Sequence, residues 1–150
     1  RGVSNTFWKG RFQKLMDKPL VYVDGAHNPG GWMELRKNID TYFKGRRLIY
    51  VCGVFKDKDY ERMLEIMMPD ADTFIAVQPD NPRALDNKKL GELAKKYIDS
   101  VFVQDDIDAA VLQAVQMAAG IPDSVVIIFG SLSYIGPIIE RAEHGGYGAI

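Results

Sequence analysis

The chain has 150 residues, 47% of them hydrophobic, enough for one domain with a real core. Its formal net charge of −1 and pI near 6.1 leave no basic footprint, so nucleic acid is not an expected partner. A single cysteine, Cys52, excludes an internal disulfide and fits a reducing cytoplasm.

No apolar run approaches the roughly 20 residues that cross a bilayer, so no membrane partner is expected either. Two histidines and one cysteine cannot make a tetrahedral structural zinc site without carboxylates. The chain begins at Arg1 without a methionine, which suggests a piece of a longer protein.

Residues 1–18 mix Gly, Ser and Asn with Phe7, Trp8 and Phe12, lack a clean period and precede Pro19, and read as a linker or irregular arm. Residues 19–150 read as the domain. Leu20 to Val23 form a first buried strand, followed by a helix from about Pro29 to Phe43 with Trp32, Leu35 and Ile39 spaced at three and four. Gly45 suits the end of that helix. Leu48 to Val51 are a second strand, and a Lys56-Asp57-Lys58-Asp59 loop then leads into a helix through Met63, Leu64, Met67 and Met68, closed by Pro69.

Thr73 to Val77 favour extended chain and make a third strand. Two prolines in Gln78-Pro79-Asp80-Asn81-Pro82-Arg83 forbid continued pairing and mark a long turn. Lys88 to Tyr97 read as helix, Val101 to Val103 as a short fourth strand, and Asp106 as the cap of a helix that stops at Gly120. Val125 to Phe129 are a fifth strand. Gly130-Ser131-Leu132-Ser133 turns the chain into a last helix, Ile135 to Arg141, before a Gly-rich tail from His144. The alternation predicts an α/β three-layer sandwich around a mainly parallel, Rossmann-like sheet.

The loops that follow parallel strands emerge together on one edge, where open α/β sheets collect ligands. The first, Asp24-Gly25-Ala26-His27-Asn28-Pro29, concentrates a carboxylate, an imidazole and an amide. Asn28 suits an N-cap and Pro29 the first helical position, which turns a positive helix end toward that space. Asp24 alone is equally an ordinary turn former. Arg83, on a rigid turn, presents a forked donor suited to a carboxylate. Lys56 and Lys58 fit a solvated pair, and Ser131 and Ser133 fit a helix cap as well as an anion site. The chain has neither a G-x-x-x-x-G-K-[ST] loop nor G-x-G-x-x-G after its first strand, so it has no phosphate cradle of either kind.

The Asp24 to Pro29 stretch resembles the signature of folylpolyglutamate synthase and dihydrofolate synthase, within the Mur ligase superfamily. Trp8-Lys9-Gly10-Arg11, Gly53 to Asp59, Asn81-Pro82-Arg83-Ala84-Leu85 and Gly130-Ser131-Leu132-Ser133-Tyr134 resemble further segments of that family in the same order. Lys9 stands where the family usually has proline, and Ser133 where Tyr often follows Leu.

The resemblance implies an ATP-dependent ligase that activates a folate or dihydropteroate carboxylate as an acyl phosphate and joins it to L-glutamate, with Mg²⁺ accompanying ATP. It implies the carboxyl-terminal domain of such a ligase, with an amino-terminal domain holding the P-loop, the metal and most of the folate site. The fragment is then expected to be inactive alone, cytoplasmic and monomeric. A six-stranded mixed sheet is implied, one strand more than the pattern gives. By position, Arg11, Asp24, His27 and Asn28 would face the nucleotide, Asp24 and His27 as catalytic residues, while Arg83, Ser131 and Lys56 would take the glutamate carboxylates. The alternative is a stand-alone α/β module that binds an amino acid or nucleotide without catalysis. A Rossmann-like methyltransferase or dehydrogenase would need a Gly-rich loop after Val23, which Asp24 to Gly31 does not supply.

Overall fold

The computed structural model describes residues 10–148. Trp8 and Lys9 lie outside the described residues. Six strands form one sheet in the order β1-β2-β6-β3-β4-β5. They are β1 (Gln13–Met16), β2 (Leu20–Asp24), β3 (Arg47–Cys52), β4 (Ala71–Ala76), β5 (Val101–Val103) and β6 (Ser124–Phe129). All neighbours run parallel except β1 and β2. The helices are α1 (Pro29–Tyr42), α2 (Tyr60–Met67), α3 (Asn87–Ala94), α4 (Ile107–Ala119) and α5 (Leu132–Glu143).

Side-chain alternation explains the layers. Leu48, Tyr50 and Cys52 of β3 and Val125, Ile127 and Phe129 of β6 face one core with Trp32, Leu35, Met63, Leu64 and Leu90 of α1, α2 and α3. Their neighbours Ile49, Val51, Val126 and Ile128 face the other, with Val111 and Val115 of α4 and Ile135, Ile138 and Ile139 of α5. Both faces are covered, which is why these strands read as continuous apolar runs. The three-layer sandwich and the six-stranded mixed sheet are both found.

Residues 13–16, expected within the irregular arm, are instead the antiparallel edge strand β1, pairing Gln13 with Val23 and Lys14 with Tyr22. Their pattern is short and half polar, as suits an edge strand, and carries no apolar period. Phe12 fastens this arm, stacking at 4.8 Å on Tyr22 and 5.7 Å on Phe43. The last helix begins at Leu132 rather than Ile135, because Ser131 already caps it through the Ser133 amide. The tail is not loose either. Tyr147 is 2% exposed, packs into the second core, and donates its hydroxyl to Asp108 on α4 at 2.5 Å.

Among the described residues, no helix is long and apolar enough to cross a membrane.

Candidate functional site

The loops after β2, β6 and β3 meet where the fold changes hand. The β2 and β3 loops lead to α1 and α2 on one face, while the β6 loop between them leads to α5 on the other. Such a switch point, at the carboxyl ends of the strands, is the usual ligand position in open α/β sheets.

Asp24 closes β2, in register with Phe129 of β6. Its Oδ1 accepts the Ala26 amide at 2.8 Å and its Oδ2 accepts the Phe12 amide at 2.9 Å. The first bond forms the turn; the second ties the turn to the arm. Gly25 N–H donates to Gly10 O at 2.7 Å, a further tie between the same segments. Arg11 is therefore an exposed cation set between two left-handed residues, Gly10 (φ 86°) and Phe12 (φ 42°). A non-glycine residue at such φ is strained and persists only where surrounding contacts hold it. Burial raises the Asp24 carboxyl pKa, against the pull of the Ala26 and Phe12 amides and of Arg11.

His27 lies two residues on, and its Nδ1–H donates to Gly25 O at 2.9 Å. A carbonyl can only accept, so Nδ1 carries a proton, and Nε2 is the nitrogen left facing away from this bond. Asn28 caps α1 by accepting the Gly31 amide at 2.8 Å. Trp32 Nε1–H donates to Ala26 O at 3.0 Å, securing the turn from the helix side.

The β6 and β3 loops touch backbone to backbone. Gly130 has φ 114°, and a Cβ there would collide with Gly53 O. Tyr134, buried, staples the contact: its hydroxyl accepts the Gly53 amide at 2.8 Å and lies within donating distance of Phe129 O and Gly53 O. From the sequence Tyr134 reads as ordinary packing, since its partner Gly53 lies far along the chain. Ser131 is 3% exposed, with its Oγ 2.8 Å from Ser133 Oγ and accepting the Ser133 amide. It is a cap, closed in by its own helix. Leu132, 59% exposed, adjoins Gly25, where a Cβ would strike it.

Lys56 and Arg83 form a second group on the same edge. Lys56 N–H donates to Arg83 O at 2.7 Å, and Phe55 pairs with Ala84 in an antiparallel bridge. Arg83 Nη2 donates to Asp57 Oδ2 at 2.7 Å. The guanidinium beside it holds the Asp57 carboxyl below the usual range. Arg11, Asp24, His27 and Asn28 are thus brought together, Ser131 is turned inward beside them, and Lys56 joins Arg83. Among the described residues, no cluster of three or more His, Cys, Asp or Glu could hold a metal ion.

Comparison with known proteins identifies the family of this fold. The model of the Mur ligase, glutamate ligase domain matches residues 10–132. The chain is 30% identical over 142 residues to the dihydrofolate synthase/folylpolyglutamate synthase of Bacillus subtilis, covering 95% of this chain and 32% of that protein. It is 27% identical over 147 residues to the folylpolyglutamate synthase of Lacticaseibacillus casei, covering 97% and 32%. The folylpolyglutamate synthase of Mycobacterium tuberculosis complexed with ADP superposes with a TM-score of 0.81 at 28% identity, over 94% of this chain and 34% of that one. A bifunctional folylpolyglutamate synthase/dihydrofolate synthase with Mn, AMPPNP and L-glutamate bound gives a TM-score of 0.77 at 25% identity, over 91% of this chain and 32% of that one. The chain spans about a third of the length of the curated relatives it matches. With the family model matching residues 10–132 and the same fold, the chain belongs to the Mur ligase, glutamate ligase domain family.

Proposed function

We propose that this chain is the carboxyl-terminal, glutamate- and nucleotide-contacting domain of an ATP-dependent amide ligase that adds L-glutamate to a folate. Residues 1–18 would lead from an amino-terminal ATP-binding domain, fastened here through β1, and residues 19–150 would close over the cleft. The observation that carries the reading is the fastening of the Arg11-bearing arm to the Asp24–Asn28 turn, through the Phe12 amide and Asp24. Support comes from relatives of the same family with ADP and with L-glutamate bound.

ATP supplies the phosphoryl group that activates the acceptor carboxylate. The chain's own part is to bind and orient. Arg11 and the positive end of α1 offer charge complementary to polyphosphate. His27 offers Nε2 to the nucleotide or the incoming amine. Asp24, with both oxygens taken up, contributes by holding that wall in place. Arg83 and Lys56 hold the carboxylates of glutamate, and Ser131 acts by capping α5 beside the Asp24–Asn28 turn. Among the described residues no cluster fits Mg²⁺, and the reading assigns the metal and the folate or dihydropteroate to the other domain. A cytoplasmic monomer fits this reading. Two domains closing would hold both substrates together and shield a labile intermediate from water.

The test is ATP- and glutamate-dependent folate ligation, assayed for the 150-residue chain and for the full-length polypeptide carrying it. Activity of the longer polypeptide and none from the chain alone is the expected result. Ligation by the chain alone, or tight calorimetric binding of glutamate to it without nucleotide, would overturn the fragment reading.

A further inference from the structure

Arg83 is held more completely than an arginine on an exposed turn needs to be. Its backbone is fixed at both ends: the Arg83 amide donates to Asn81 Oδ1 at 2.8 Å, and its carbonyl accepts Lys56 N–H at 2.7 Å. Leu85 N–H adds a bond to Val54 O at 2.9 Å, so the loops after β3 and β4 are zipped together. The side chain is then gripped twice, by the Phe55 ring 4.7 Å below the guanidinium and by Asp57 at 2.7 Å. Both members of the ion pair remain about half exposed, 54% and 53%. Such a pair contributes little to folding stability. What it does do is remove rotamer freedom from a long side chain before a ligand arrives.

We propose that Phe55 and Asp57 are positioning residues for Arg83, holding its guanidinium ready for a carboxylate of the incoming amino acid. The inference rests on the reading that Arg83 grips that carboxylate. A guanidinium carries five N–H donors in a fixed fork, and the bond to Asp57 occupies Nη2. The remaining donors stay available for a second anion. The Phe55 face keeps the plane of the fork from turning, a constraint that Asp57 alone would not impose. Asp57 stays ionised at neutral pH, because Arg83 itself holds its carboxyl low.

The test uses steady-state kinetics of the full-length ligase. Asp57→Asn and Phe55→Leu each raise the KM for L-glutamate by about three- to tenfold, the cost of ordering one long side chain on binding. They leave kcat within about twofold and the KM for ATP unchanged, a split that a general loss of structure would not produce. Asp57→Glu restores most of the loss, and Asp57→Asn added to Arg83→Ala is no worse than Arg83→Ala alone, as coupled residues require. If Arg83→Ala raises the glutamate KM while Asp57→Asn and Phe55→Leu do not, the positioning role is refuted and the carboxylate site stands. If Arg83→Ala leaves that KM unchanged, both are refuted.

Discussion

Replacing Asp24 tests how the arm and the turn are joined. The carboxylate accepts two amides, that of Phe12 twelve residues before it at 2.9 Å and that of Ala26 two residues after it at 2.8 Å. A hydrogen bond to a charged group contributes about 1.5–3 kcal/mol. Burial of the carboxylate, the largest influence on its pKa, offsets part of that gain. Asp24→Ala removes both acceptors and the restraint on the left-handed Phe12, for a net loss of about 3 kcal/mol. Asp24→Asn keeps one acceptor and turns an NH₂ toward the other amide, for about half that loss. Urea unfolding of the chain measures both differences, and amide hydrogen exchange at Phe12 and Ala26 locates them. Rapid exchange at Phe12 in both variants, with β3 and β6 still protected, is the expected pattern. An Asp24→Ala variant within about 0.5 kcal/mol of wild type, or with Phe12 still protected, would refute the latch.

Tyr134→Phe leaves the buried Gly53 amide without its acceptor, so a loss of about 2 kcal/mol is expected in the same unfolding assay. An unchanged midpoint would remove the staple between the β3 and β6 loops. The pH dependence of stability carries an opposite pair of signs. The Asp24 carboxyl is raised in the folded state, so its contribution is fully present below the unfolded value of about 3.9 and is lost as pH climbs through the higher folded value. Asp57 is lowered, so its contribution is present above about 3.9 and is lost as pH falls. Subtracting the Asp24→Asn stability curve from wild type isolates the first trend, and a difference that rises with pH above about 4 would contradict it.

Elements buried on both sides were the most legible in the sequence. The runs in β3, β4 and β6 are apolar because helices cover both faces of the sheet, and the spacing of Trp32, Leu35 and Ile39 marks the buried stripe of α1. Caps were legible for the same local reason: Asn28, Asp106 and Ser131 each accept an amide within three residues. What could not be read was nonlocal. The Asp24 bond to Ala26 is a turn written in adjacent residues, whereas its bond to Phe12 depends on β1 returning alongside β2. Tyr147 in a Gly-rich tail gives no periodic signal, yet Asp108 and the second core draw it inward. Ser131 matched a family motif, and the structure buries it with its Oγ accepting the Ser133 amide at the start of α5.

The measurement closest to the central claim is the initial rate of ATP-dependent incorporation of labelled L-glutamate into a folate by the full-length polypeptide, with His27→Ala and Arg83→Ala alongside wild type. If this chain supplies nucleotide- and glutamate-contacting residues to the ligase, wild type incorporates glutamate, His27→Ala lowers kcat, and Arg83→Ala raises the glutamate KM with near-normal kcat. Wild-type kinetics in both variants would contradict that role.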